Sequence, residues 1–150
     1  MKPKMKPLML LIFLAAVQTA ASIPAVFAGD PGTGELTLII EGFENSNGAA
    51  KVGLADSKEN FSRATPFKGY ILPIVNGRVA ETLTLPCGEY AVKVFHDENG
   101  NGELDKGVFG IPAEAYGFSN DARGSMGPPE YEKAAFQLDS AGKELVIHVQ

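Results

Sequence analysis

"EYAVKVFH", residues 89–96, puts Tyr90, Val92, Val94 and His96 on one side of an extended chain. A two-residue period of this kind belongs to a strand with one face in a core. The same period recurs on both sides of it. "ELTLIIEGF", residues 35–43, sets Leu36, Leu38 and Ile40 against Thr37, Ile39 and Glu41, and "AKVGLA", residues 50–55, sets Val52 and Leu54 on one face. "KAAFQL" and "KELVIHVQ", at 133–138 and 143–150, flank the turn "DSAGK" and bring Leu145, Ile147 and Val149 inward. In "YILPIVNGRVAETLTLP", residues 70–86, Asn76-Gly77 supplies the two positive-φ positions of a type I′ turn, which predicts a hairpin between the apolar arms. "NFSRATPFKG", residues 60–69, contains Pro66 and is held to an edge strand or a loop.

Short strands, Gly-rich turns and few helix signals predict an all-β fold. The expected form is an antiparallel immunoglobulin-like or transthyretin-like β-sandwich of seven to eight strands, with a small barrel as the alternative. The segment from Asp97 to Pro129 lacks strand periodicity and exceeds the ~12–15 residues usual for an unstructured connection. Its aromatics Phe109, Tyr116 and Phe118 favour one long ordered loop, because disordered segments are poor in such side chains.

The chain has 150 residues, 45% hydrophobic and 21% charged, the size of a single domain. Its start, with Lys2, Lys4 and Lys6 before an apolar run from Leu8 to Val17 and "AVFAGD" after it, reads as a secretory signal peptide over residues 1–28. The run is about half the ~20 residues of a spanning helix. The expectation is therefore removal of 1–28, a flexible stretch over 29–34, one sandwich domain over 35–150, periplasmic or extracellular location, and no membrane insertion of the mature chain. Removing three lysines and no acid takes the net charge from −5 to −8. Nucleic acid is excluded as a partner, since its binders cluster Lys and Arg to displace counterions from phosphates. Cys87, the only cysteine, permits no internal disulfide and reads as a small buried apolar residue.

"HDENGNGELDKG", residues 96–107, carries the chemistry. Against the twelve-position calcium loop, Asp97 stands at position 1, Asn99 at 3, Asn101 at 5, Gly102 at 6, the Glu103 carbonyl at 7 and Asp105 at 9. Ca²⁺ wants six to eight hard oxygens, and alternate residues of a tight loop can all turn inward. Position 12 is Val108 and a strand precedes the loop, so this is no EF-hand. Glu114 and Asp121 are the acids available as further ligands, and the expected affinity is weak, in the ~10⁻⁴–10⁻³ M range. The competing reading is a metal-free polar turn built on Asn99-Gly100 and Asn101-Gly102, although such a turn gives no reason for Asp at both 97 and 105. His96, on the apolar face of its strand, reads as buried and hydrogen-bonded, and His148 as solvated. Copper is disfavoured for want of a close Cys, His, Met grouping.

The residues Gly88, Tyr90, Ala91, His96, Asp97, Asn99, Asn101, Gly102, Asp105, Gly110, Pro112, Glu114, Tyr116, Gly117, Phe118, Ser119 and Asn120 together resemble the signature of domain of unknown function 2141, a family of secreted bacterial proteins. The resemblance covers the C-terminal half; it implies export and a β-sandwich, and no activity or catalytic residue. "LPCGEY", residues 85–90, is also similar to a strand opening of transthyretin-like and carboxypeptidase-regulatory-like sandwiches. Three functions compete. The first is a non-enzymatic module whose Ca²⁺-type loop orders a binding surface containing Tyr116 and Phe118, offered to a protein or carbohydrate ligand. The second is a metal-assisted hydrolase using His96 and nearby carboxylates, for which no nucleophile elbow or zinc-binding helix motif is present. The third is a structural or accessory envelope protein with a metal-free turn.

Overall fold

The computed structural model describes residues 32–63 and 67–150; the signal-peptide expectation over 1–28 lies outside them. Among these residues eight strands form: β1 (Thr33–Glu41), β2 (Ala49–Ala55), β3 (Lys68–Leu72), β4 (Arg78–Pro86), β5 (Gly88–Asp97), β6 (Tyr116–Phe118), β7 (Phe136–Leu138) and β8 (Lys143–His148). Among the described residues two short α-helices, α1 (Lys58–Ser62) and α2 (Tyr131–Ala134), join them. One sheet has the order β4-β1-β8; the other runs β3-β2-β5-β6, with β7 pairing the first half of β5. Leu36, Leu38 and Ile40 of β1, Val52 and Leu54 of β2, Val92 and Val94 of β5, and Leu145 and Ile147 of β8 meet in one buried cluster drawn from both sheets. The alternation in the sequence thus assigns the faces correctly, including Tyr90 and His96 on β5.

Two turns pass the chain between the sheets, the first of them where a hairpin was expected. Asn76 and Gly77 do adopt positive φ, 52° and 71°, and Val75 and Arg78 exchange main-chain hydrogen bonds of 2.8 and 3.1 Å. The hairpin ends there, because Pro73 has no N–H to continue a ladder. β3 goes on to pair with β2, and β4 with β1, so the turn carries the chain from one sheet to the other. The turn between β7 and β8 does the same. β8 consequently enters beside β1 in parallel, Leu36 opposite Lys143 through Glu41 opposite His148, and the sheets are mostly rather than wholly antiparallel. The strand β1 also starts at Thr33, inside the stretch expected to be flexible, with Thr33 and Gly34 paired to Pro86 and Leu85. Cys87 is half-buried rather than buried, and its N–H donates to the Gly32 carbonyl at 3.0 Å.

A second, smaller cluster unites Phe61 of α1, Phe118 of β6, Tyr131 and Ala134 of α2, and Ala91 of β5. Phe61 stands 6.0 Å from Phe118 and 5.7 Å from Tyr131, centroid to centroid. The Lys93 ammonium lies 5.4 Å from the centroid of the Phe61 ring and donates to the carbonyls of Phe61 and Arg63 at 2.8 and 2.9 Å. It thereby satisfies acceptors that the end of α1 leaves unpaired. Burial pushes the Lys93 pKa down, so part of that gain is offset by desolvation. Lys93→Met is expected to cost about 1–2 kcal/mol in urea denaturation, since it strands both carbonyls while keeping the aliphatic stem; an unchanged midpoint would mean water replaces the ammonium.

Candidate functional site

The loop after β5 begins in the core. Asp97 pairs with Ala49 and His96 with Ala50 at the start of β2. His96 is buried; its Nε2 lies 2.8 Å from the Asn47 carbonyl, and its ring meets Phe43 edge-on at 5.2 Å. The turn before β2 is pressed against this point: a Cβ on Gly48, whose φ is +61°, would sit 1.9 Å from the Asp97 carbonyl oxygen. No larger residue fits there without moving the backbone.

Asp97 has no exposed side-chain surface. Its Oδ2 accepts the Gly102 N–H at 3.0 Å and lies 3.3 Å from the Lys51 ammonium. Its Oδ1 is buried and has no hydrogen-bond partner. An unpaired buried acceptor costs ~1–3 kcal/mol, and more when it carries charge. The loop folds around this carboxylate. Asn99 Oδ1 accepts the Asn101 N–H at 2.9 Å, and Asn101 Oδ1 accepts the Glu103 N–H at 2.8 Å. The side-chain amides of Asn99 and Asn101 both donate to the Asp105 carboxylate, at 2.7 and 3.0 Å. Gly100 and Gly102 take φ of +74° and +83°, which the alternating inward turns require.

Glu114 closes the loop from the far side. One carboxylate oxygen accepts the Glu98 N–H at 3.0 Å and the other the Asp105 N–H at 2.9 Å. Below it, the Asp105 carbonyl accepts the Ala113 N–H, and Gly107 N–H donates to the Ile111 carbonyl, both at 2.8 Å. The segment from Glu98 to Ala115 is therefore a laced hairpin rather than a loose connection. Its tip is apolar: Val108, Phe109 and Ile111 are exposed, and Phe109 holds a left-handed φ of +67°, an uncommon conformation for a bulky side chain.

The structure gathers Asp97, Asn99, Asn101, Glu103, Asp105 and Glu114 in one loop. Their side chains offer carboxylate and amide oxygens, the atom type that suits hard divalent cations, although the Asn99 and Asn101 nitrogens are the atoms turned toward Asp105. Among the described residues, no group of three or more His, Cys, Asp or Glu side chains stands where it would hold a metal. Asp121 is not brought to the loop. Its carboxylate takes the His148 N–H and the His148 Nδ1, both at 2.8 Å. Burial alone would raise the Asp121 pKa, but those two His148 contacts and the nearby Arg123 hold it below the usual carboxylate value.

Phe118, expected as part of a binding surface, is buried against Phe61 and Tyr116 and offers no face to a ligand. The reason is β6 itself, which pairs Phe118 with Lys93 and Tyr116 with Phe95 and turns Phe118 under α1. Tyr116 is half-buried. Sequence reading missed Lys51, whose approach to Asp97 depends on cross-strand register, and it did not name Ile111, which is exposed at the tip with Val108 and Phe109.

The family model described as "Uncharacterized protein conserved in bacteria (DUF2141)" matches residues 39–146, a span that includes the whole loop. No curated protein and no solved structure matches the chain.

Proposed function

The chain belongs to the bacterial DUF2141 family, and from that premise we propose that it is an exported, non-enzymatic binding module in which a divalent cation of the Ca²⁺ type occupies the loop from Asp97 to Asp105. The carrying observation is the orphaned Asp97 Oδ1, a buried carboxylate oxygen at the first position of a loop with oxygen donors at alternate residues. The Gly102 N–H engages the other Asp97 oxygen and leaves this one for an ion. The Asn99 and Asn101 amide groups donate to Asp105, and their carbonyl oxygens, each accepting one loop N–H, keep a second lone pair for an ion. The Glu103 carbonyl and Asp105 complete the set, with Glu114 holding the loop's two ends. The cation then fixes the hairpin from Glu98 to Ala115.

The finer fold reading, an immunoglobulin-like or transthyretin-like sandwich, belongs to the same proposal. It is supported by the core shared between the two sheets and by the Tyr90 hydroxyl, which donates back to the Pro86 carbonyl at 2.9 Å as tyrosines at sandwich corners do. The binding role is favoured over hydrolysis because His96 is buried with its Nε2 engaged, whereas a general base must reach a substrate proton.

Calorimetric titration with Ca²⁺ tests the reading. At ~10 mM Ca²⁺ and a Kd of ~10⁻⁴–10⁻³ M, the expected stabilisation is about 1.4–2.7 kcal/mol, visible as a rise in Tm. Absence of both heat and thermal shift at that concentration overturns it.

A further inference from the structure

The three-stranded sheet ends differently on its two sides. Beyond β8 it is tied to β6: Gln150 and Tyr116 exchange main-chain hydrogen bonds of 3.1 Å, and the His148 N–H goes to Asp121 at 2.8 Å. On the other side β4 has β1 as its neighbour and, among the described residues, no second strand. Its nine residues run in unbroken register with β1. In an antiparallel pair, successive residues direct their N–H and C=O alternately toward the neighbour and away from it. Arg78 exchanges both of its main-chain groups with Val75, so it faces away from β1, and Ala80, Thr82 and Thr84 share that phase. The chain then leaves at Pro73 for the other sheet, and the strand position that begins at Val75 is left open beside these three residues.

The side chains along this edge select what fills it. Val79, Leu83 and Leu85 are buried on the core side of β4; Glu81 shares their side by alternation and is exposed. Arg78, the cation of the same strand, lies on the opposite face and pairs with Glu41 at 3.0 Å. A charge turned inward on an edge strand guards against pairing of like edges. Antiparallel pairing of all of β4 with β4 of a second copy is centred on Thr82 and makes the two Glu81 carboxylates diagonal neighbours on one face; centring on Glu81 sets them directly opposite. A second copy is therefore disfavoured, and a strand with a cation at that place is favoured. Next to Glu81, a groove of about 280 Å³ is walled by Pro73, Val75 and Val79, and Val75 is 63% exposed. It suits an apolar side chain two residues from that cation.

We propose that β4 accepts an extended peptide as an added strand, with a Lys or Arg opposite Glu81 and an apolar side chain in the groove opposite Val79. The peptide main chain pairs with the outward N–H and C=O groups of Ala80, Thr82 and Thr84, and the alternate side chains supply specificity. The loop from Asp97 to Asp105 takes no part, so this contact stands or falls apart from the cation reading.

Fluorescence anisotropy of a labelled Thr-Val-Thr-Lys-Thr-Val-Thr peptide with the full chain, at concentrations up to ~1 mM, tests it. Two further peptides serve beside it: one with Glu in place of Lys, and one N-methylated on the two threonines that flank the lysine, which removes the donors aimed at β4. Expected is binding of the Lys peptide alone, weakened about fivefold by Glu81→Gln, the loss of one exposed ion pair. Glu81→Lys should reverse the preference toward the Glu peptide; it keeps a like charge against self-pairing and so reads partner choice. Glu81 is exposed, and thermal melts of both variants should match the parent. No binding of the Lys peptide overturns the proposal and leaves Glu81 as a guard of the edge. Binding indifferent to N-methylation, or a preference unmoved by Glu81→Lys, overturns it as well, since the contact is then not a main-chain ladder or is not directed by that carboxylate.

Discussion

Asp97→Asn is expected to abolish the calcium response, removing the whole of the ~1.4–2.7 kcal/mol stabilisation at ~10 mM Ca²⁺, while changing calcium-free stability by less than about 1 kcal/mol. The two side chains have nearly the same shape. The amide that replaces the carboxylate keeps an acceptor for the Gly102 N–H, and the change removes a buried charge whose Oδ1 has no partner. Against that gain stands the loss of the Lys51 contact at 3.3 Å, from an ammonium that is itself part-exposed and able to turn to water. The two effects oppose, which keeps the calcium-free difference small. Thermal melts with and without Ca²⁺ read both quantities. If Asp97 serves only as the buried partner of Lys51, the variant loses several kcal/mol under both conditions and calcium makes no difference to either protein. If the variant keeps the full calcium shift, any bound ion sits elsewhere.

The strand faces were legible because burial imposes a two-residue period on each strand: Leu36, Leu38 and Ile40 in β1 and Leu145, Ile147 and Val149 in and beyond β8 are all buried. Sheet membership was not, because a turn looks the same in sequence whether its arms pair or part. Asn76-Gly77 makes its predicted turn and then sends β3 and β4 to different sheets. The three-residue strands β6 and β7 are too short to show any period, and their place on β5 is set by contacts distant in sequence. In the candidate site, the loop residues at 97, 99, 101 and 105 were readable from spacing, since the Asx turns that align them are local. The amide-clasping role of Glu114 was not, because it depends on how the hairpin folds back, and Asp121 was drawn to His148 by the packing of β8 beside β6.

The same non-local logic gives Ser119 its weight. The β5 edge is covered by β7 from Gly88 to Tyr90 and by β6 from Lys93 to Phe95, and between these partners the main chain at Ala91 and Val92 faces no strand. Ser119, fully buried, fills the gap: its Oγ accepts the Val92 N–H at 2.9 Å and donates to the Ala134 carbonyl at 2.5 Å. Beside it, Asn120, at φ +59°, donates to the carbonyls of Lys133 and Ala135 at 3.2 and 2.9 Å. The "SN" pair thus joins β5, β6 and α2 across a seam. Ser119→Ala keeps the volume nearly unchanged but strands one buried donor and one buried acceptor, each worth ~1–3 kcal/mol, so a loss of about 2–4 kcal/mol in urea denaturation is expected. Faster hydrogen exchange at the Val92 amide should accompany it, because that N–H then has no acceptor. A loss below ~0.5 kcal/mol, the size usual for a surface change, with the Val92 amide still protected, would show that the seam holds without the hydroxyl. In that case α2 and β6 are fixed by the Phe61, Phe118 and Tyr131 cluster alone.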